Sequence, residues 1–177
     1  MVEKALSFLD INENSKDFGK YKFKTFLKRK LHNMYINMWH LSKTNLEDGK
    51  LRTYFKLKRH FGFEKYLSEI KSFDIRRSIC KLRISSHKLM IEIGRYLKIE
   101  SNERFCTKCN TNEIEDEVHF LISCQKFHLE RNCLFNLIIE KVKNFRNLND
   151  EQKFIYLLTS ENSQMLNAVG KFIQENL

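Results

Sequence analysis

The sequence contains no proline and only five glycines among its 177 residues. Collagen, polyproline linkers, glycine-rich phosphate loops and low-complexity disordered chains all need those residues in quantity, so their scarcity excludes these classes. Hydrophobic residues make up 42% of the chain and include 15 phenylalanines, which is enough apolar surface for a sizeable core. The composition therefore predicts a mainly α-helical protein of one domain or two small ones.

Long apolar runs are also absent. The densest is Leu134 to Ile139, and Asn136 interrupts it, whereas a membrane-spanning helix needs about 20 apolar residues. Residues 1–20 lack the apolar stretch and cleavage site of a secretory signal. The chain has five cysteines, and four of them lie between residues 106 and 133. An odd number clustered in one region does not resemble the cysteine pattern of a disulfide framework. We expect a soluble intracellular protein, nuclear or cytoplasmic, with no membrane partner.

The positive charge is concentrated in the middle of the chain. Residues 20–100 carry 21 basic and 7 acidic side chains, while the segments on either side are slightly acidic. Clustered lysine and arginine favour contact with phosphates because binding releases counterions; the alternative is a solvated, lysine-rich helix face. We predict that RNA or DNA contacts the basic residues Arg52, Lys56, Lys58, Arg59, Arg76, Arg77, Lys81 and Arg83.

Helical periodicity is strongest near the start of the chain. From Phe23 to Leu41 large apolar residues recur at steps of three and four, which predicts a long amphipathic helix that packs on the core or on a partner. In residues 21–24 and 51–61 apolar and polar residues alternate instead, so a short β-hairpin is an alternative prediction for these segments.

The rest of the chain predicts further helices. They are expected over 63–70, 74–84 with Asp74 as N-cap, 129–142, 149–158 opened by an Asn149/Gln152 capping box, and around 165–173. We divide the chain into an N-terminal amphipathic segment (1–49), a region of basic helices with a metal motif (50–130) and C-terminal helices (131–177).

The chemistry concentrates in the pattern Cys106-x2-Cys109-x9-His119-x4-Cys124. Two thiolates two residues apart can bind one ion, and the histidine and third cysteine complete four ligands for tetrahedral zinc. Residues five apart on an α-helix point about 140° from each other, so the helix must end, tighten or bend near Ser123. Because all four positions are filled, the zinc is expected to be structural, in a small knuckle.

Other interpretations of this region remain open. The cysteines can be small buried hydrophobes and the histidine a core residue, and His128 and Cys133 are substitute ligands. The acidic residues Glu113, Glu115, Asp116 and Glu117 are interpreted as a solvated turn with favourable charge at a helix N-terminus.

The region around this motif resembles the C-terminal zinc-binding tail of non-LTR (LINE-type) retrotransposon reverse transcriptases. The resemblance covers roughly residues 50 to 130 and consists of four ordered pieces. They are Leu82, Arg83, Ser85 and His87; Ile91, Glu92, Gly94 and Arg95; Glu103, Arg104, Cys106 and Cys109; and Asp116, Glu117, His119, Phe120 and Cys124.

The resemblance implies the same zinc ligands, and a nucleic-acid-facing role for His87, Lys88 and Arg95. Met90 and Gln125 stand where relatives often have proline. The polymerase's Tyr-x-Asp-Asp segment is absent, so no enzymatic activity is carried over.

Two functions follow as hypotheses. The first is a non-catalytic, zinc-stabilised nucleic-acid-binding module, a fragment or remnant of a retrotransposon reverse transcriptase tail. The second is a zinc-stabilised helical protein-interaction domain, whose helix over 23–41 packs on a reverse transcriptase or another protein. A catalytic metal is disfavoured because it needs an open coordination position.

Overall fold

The computed structural model describes residues 19–42 and 49–177. It forms two compact units, residues 1–45 and 46–177. The described part of the first unit is helix α1, Lys20–Leu41, none of whose residues is buried. The predicted long helix is therefore confirmed, and residues 21–24 lie inside it.

The second unit is also mainly helical, which confirms the predicted fold class. Its α-helices are α2 (Arg52–Leu57), α3 (Tyr66–Glu69), α4 (Phe73–Arg83), α5 (Met90–Tyr96), α6 (His128–Ile139), α7 (Asp150–Thr159) and α8 (Ser163–Asn176). Short 3-10 turns cover Ser101–Glu103, Gln125–Phe127 and Phe145–Asn147, and a π-helical turn covers His119–Ser123. Across the described ranges, the strand-like pairing is one isolated antiparallel bridge between Phe105 and Ile114.

The helix ends follow local capping rules. Asn149 accepts a bond from the Gln152 amide at 2.8 Å and the Gln152 side chain accepts one from the Asn149 amide at 3.0 Å, so the predicted capping box is confirmed. The start of α4 differs from expectation. Its N-cap is Ser72, whose hydroxyl accepts from the Ile75 amide, while Asp74 lies in the first turn, where its charge favours the helix dipole.

The core of the second unit lies where α4 packs against α8. Ile75 and Ile79 of α4 meet Gly170 of α8, and a Cβ atom at position 170 would lie 2.3 Å from the Ile75 side chain. Glycine is therefore required for the two helices to approach this closely. Buried residues from 50–130 and from 131–177 contribute to one apolar core.

The end of α4 turns the chain sharply. Ser85 adopts a left-handed conformation with φ of 51°. The Ser86 amide bonds the Lys81 carbonyl at 2.8 Å and the Ser85 amide bonds the Leu82 carbonyl, which satisfies the last carbonyls of the helix. The turn directs the following residues, His87 and Lys88, back across the end of α4. Among the helices of the described residues, none is both long and apolar enough to cross a membrane.

Candidate metal centre

The loop that carries the first two cysteines is closed by backbone bonds. The Cys106 amide donates to the Glu113 carbonyl at 2.8 Å, and the Glu115 amide donates to the Arg104 carbonyl at 2.9 Å. These bonds flank the single bridge between Phe105 and Ile114. The loop returns on itself, so Cys106 and Cys109 lie beside the segment that leads to the histidine.

The other two residues are brought together by the π-helical turn. The Cys124 amide donates to the His119 carbonyl at 2.7 Å, a bond between residues five apart. This wider turn places residues five apart nearly in line. The helix ends at Ser123, one of the predicted outcomes, but it reaches this point by widening to π geometry and not by tightening. A buried Arg131 side chain also donates to the Cys124 carbonyl and helps to position it.

The four side chains converge on one point. Their ligand atoms all lie within 4.8 Å of one another. The sulfurs of Cys106 and Cys124 are 3.9 Å apart, and the Cys109 sulfur is 3.3 Å from Nε2 of His119. Cys109 is half-buried and the other three are buried. This cluster could hold a metal ion, as the spacing of the sequence predicts.

His119 is oriented from its other ring nitrogen. Nδ1 lies 2.7 Å from a carboxylate oxygen of Glu113, so it donates its proton there and leaves Nε2 facing the sulfurs. The His119 amide donates to the Asp116 carboxylate at 2.7 Å. The predicted helix-terminal role of the acidic segment is thus seen at Asp116.

The thiols of the cluster differ in acidity. Burial raises the pKa of Cys106 to about 12 and also raises that of Cys124. Burial acts in the same direction on Cys109, but hydrogen bonds from Thr111, Cys106 and His119 outweigh it and lower the pKa of Cys109 to about 6. Cys109 is therefore the thiol of the cluster that ionises most readily.

The remaining cysteines and histidine named from the sequence lie elsewhere. His128 and Cys133 are exposed on α6, and Cys80 is half-buried on α4. None of them belongs to the group of ligand atoms found among the described residues. The four-residue motif and not a substitute set forms the cluster.

The acidic segment is only in part the solvated turn that the sequence predicts: Glu113 is exposed, but Glu115 and Glu117 are buried. Glu115 is 2% exposed and Glu117 is 3% exposed. Glu115 accepts from the Met90 amide at 2.7 Å and pairs with Lys108 at 2.9 Å. These partners offset the cost of desolvating the Glu115 carboxylate, so it can be buried.

Glu117 is the centre of a buried polar network. One guanidinium nitrogen of Arg52 bonds both carboxylate oxygens, at 2.8 and 3.0 Å. The Ser85 hydroxyl donates at 2.7 Å, and Nε2 of His87 lies at 2.9 Å. Burial alone would raise the pKa of Glu117, but the His87 bond and the Arg52 charge lower it to about 2.

This network corrects part of the predicted nucleic-acid surface. Arg52 is mostly buried between Glu92 and Glu117, and the His87 side chain is fully buried against Glu117. Lys58 and Arg83 are buried and both pair with Glu64. These four side chains are already bound to carboxylates inside the protein, so they are not presented to a ligand.

Of the other side chains predicted to contact nucleic acid, some are bound within the protein and some are available to a ligand. Arg76 donates to the carbonyls of Ile70 and Lys71, Arg95 pairs with Glu92 at 3.1 Å, and exposed Lys56 pairs with Glu151. Arg77, Lys81, Lys88 and Arg59 are exposed. Of these, Arg77, Lys81 and Lys88 have no ion pair within residues 19–42 and 49–177.

Two motif residues meet directly at the edge of the site. A Cβ atom on Gly94 would lie 2.6 to 2.8 Å from the Arg104 side chain. Arg104 crosses this point to donate to the carbonyls of Ile91 and Ile99, at 2.8 to 3.0 Å. The glycine in one piece of the motif therefore makes room for the arginine in the next.

The sequence did not predict the roles of two residues in this region. Glu113 orients His119, and its signal was an acid inside the loop that precedes the histidine. Lys50 lines the same cavity as Lys81 and Lys88, and nothing in its local pattern distinguishes it from other lysines.

No protein-family model, curated protein or solved structure matches the chain. The resemblance to retrotransposon tails stays a prediction.

Proposed function

We propose that the chain is a non-catalytic nucleic-acid-binding module stabilised by a structural zinc ion. The metal is assigned from the donor set, since three thiols and one imidazole suit zinc, which tolerates mixed sulfur and nitrogen ligands. All four donors come from the protein, which is the pattern of a structural rather than a catalytic site.

The spacing of the donors supports zinc. Tetrahedral bonds of about 2.3 Å to sulfur and about 2.0 Å to nitrogen place two sulfurs about 3.8 Å apart, and sulfur and nitrogen about 3.5 Å apart. The corresponding distances are 3.9 Å for Cys106 and Cys124, and 3.3 Å for Cys109 and His119. Glu113 supplies the outer carboxylate that metal-binding histidines usually have.

The nucleic-acid function is supported above all by the exposed cations at the end of α4. Arg77 and Lys81 are four residues apart, so they lie on one face of the helix. Lys88 follows the turn that ends the helix and shares a cavity with Lys81. These three charges lack ion-pair partners among the described residues and are available to phosphates.

An origin in a retrotransposon reverse transcriptase tail is part of the proposal. Its support is that residues of the separate motif pieces contact one another in the fold. Ser85 and His87 bind Glu117, and Gly94 accommodates Arg104. The motif pieces, although separate in the sequence, therefore belong to one contacting structural unit.

The test is a salt titration of binding to labelled RNA and DNA by the zinc-loaded protein. We expect affinity to fall steeply between about 50 and 200 mM salt because phosphate contacts release counterions. Replacing Arg77, Lys81 and Lys88 by glutamine together should reduce the slope by about 2 for single strands. The matched control replaces the exposed residues Lys126, Lys143 and Arg146 by glutamine and should change the slope far less. Absence of binding at low salt contradicts the proposal.

A protein-interaction function is the second candidate, and α1 favours it. Tyr21 is 88% exposed, Met38 is 54% exposed and Tyr35 is 53% exposed, so the helix presents apolar side chains that a partner can cover. Replacing Tyr35 and Met38 by serine should abolish the binding of such a partner. The same change should leave the affinity for nucleic acid unchanged. The same double variant separates the two functions.

A further inference from the structure

A polar cavity of about 440 Å³ lies beside the end of α4. Lys81 contributes from the helix, Ser86 and Lys88 from the turn that follows it, and Lys50 from the segment before α2. Tyr96, at the end of α5, lines the same cavity, and its side chain is exposed. The volume of the cavity falls within the range of small-ligand pockets, about 300 to 1,000 Å³.

The charge of this cavity is strongly positive. Lys50, Lys81 and Lys88 are exposed and form no ion pair within the described residues. The acidic side chain in the lining, Glu92, is buried and bound by both Arg52 and Arg95. The charge of Glu92 is therefore neutralised by these two arginines, and among the described residues no other acidic side chain lines the cavity.

The wall between the lysines is held in place. Ser85 and His87, which line the cavity, are both bound to the carboxylate of Glu117. The backbone bond from the Ser86 amide to the Lys81 carbonyl fixes the turn between Lys81 and Lys88, which line the same cavity. A wall that is ordered before binding lowers the entropy cost of capturing a ligand.

We infer that this cavity binds one nucleotide of a single-stranded nucleic acid, with its phosphate on the lysines and its base on the ring of Tyr96. Lysine ammonium groups bind phosphate oxygens, and an exposed aromatic ring next to a basic groove is a base-stacking platform. Such a ring can stack only on a base that is free of its duplex partner. The inference rests on the proposed function and specifies its ligand: the protein binds single strands more tightly than duplexes.

The test compares Tyr96→Ala and Tyr96→Phe in the full, zinc-loaded chain. The probes are a labelled single-stranded oligonucleotide, the same strand with abasic sites in place of bases, and a matched duplex. We expect Tyr96→Ala to weaken binding of the intact single strand by about tenfold and to leave the abasic strand and the duplex unchanged. Tyr96→Phe, which keeps the ring, should bind like the wild type.

Two controls keep the outcome clear. Tyr21→Ala removes an equally exposed tyrosine on α1 and should change nothing. Lys81→Gln with Lys88→Gln should weaken all three probes, and it should also weaken binding of adenosine monophosphate and of inorganic phosphate alone. If phosphate binds as well as the nucleotide, the cavity is a simple anion site and base recognition is overturned.

The two proposals fail in different ways. If the wild type binds none of the nucleic acids, the proposed function itself fails. If the wild type binds but Tyr96→Ala matches it on the single strand, or loses affinity equally for the duplex, the nucleotide pocket is overturned and the nucleic-acid function stands. Unchanged thermal melting of the Tyr96 variants shows that the fold is intact.

Discussion

Arg52 and Glu117 are 65 residues apart in the chain and meet through two hydrogen bonds of 2.8 and 3.0 Å. Glu117 stands two residues before the metal-binding candidate His119, and Arg52 opens α2. The pair therefore joins the basic region to the metal centre. It also shows that part of the positive charge counted in the middle of the sequence is neutralised by acids from the second half.

Removing the charge of Glu117 should destabilise the second unit. In Glu117→Gln the buried Arg52 keeps only Glu92 as a charged partner, and breaking a buried pair on one side costs about 3 kcal/mol. Urea unfolding of the zinc-loaded protein measures this loss. The matched control is Glu151→Gln, which removes an exposed pair with Lys56 and should cost less than about 1 kcal/mol. Equal losses in the two variants would show that the buried network contributes nothing special.

Metal removal should unfold the segment around the cluster. We expect about one zinc ion per chain by elemental analysis, and a chelator or Cys109→Ser should expose the amides of residues 100–145 to hydrogen exchange. Within this segment the ion joins the turn of Cys106 and Cys109 to His119 and Cys124, so its loss should release the loop that these residues close. Cys133→Ser, at an exposed cysteine outside the cluster, should retain the metal. A metal-free protein with unchanged exchange would refute a structural ion.

The sequence predicts those features that depend on local periodicity and ligand spacing. The helix α1, the Asn149/Gln152 capping box and the four-residue metal cluster depend on residues near each other in the chain, and all are present. The departure from α geometry near Ser123 followed from helix geometry alone.

Long-range partners could not be predicted in this way. Whether Arg52, Arg83 or His87 faces solvent depends on Glu117 and Glu64, which local patterns do not connect to them. A charge count treats every arginine as exposed, whereas a fold that buries carboxylates must bring cations to them. The predicted nucleic-acid surface was accordingly too broad.

Enlarging Gly94 should destabilise the protein although alanine is the better helix former. An exposed helical Gly→Ala change stabilises by up to about 1 kcal/mol, but here the new Cβ would lie 2.6 Å from the Arg104 side chain. Arg104 would have to leave the Ile91 and Ile99 carbonyls, so we expect a net loss of about 2 kcal/mol. Thermal melting measures it. A double variant with Arg104→Ala should lose little more than Arg104→Ala alone; additive losses would contradict the contact.

Ser85 combines a strained backbone with a buried hydrogen bond, and two substitutions separate these effects. Ser85→Gly loses the bond to Glu117 but relieves the left-handed conformation, whereas Ser85→Ala loses the bond and keeps the strain. A buried bond to a carboxylate contributes about 2 kcal/mol, and the strain of a left-handed residue without a favourable side chain costs about 1 kcal/mol. We expect Ser85→Ala to be the less stable variant by about 1 kcal/mol in urea unfolding.

The difference in stability between the two variants is the informative result. If Ser85→Gly were as unstable as Ser85→Ala, the backbone at this turn would carry no strain and the hydrogen bond alone would explain residue 85. If Ser85→Ala matched the wild type, the bond to Glu117 would be dispensable. Ser85 lies in the turn between Lys81 and Lys88, and all three residues line the same cavity, so this turn sets the positions of the two lysines. Loss of the Glu117 bond should therefore weaken single-strand binding in both variants.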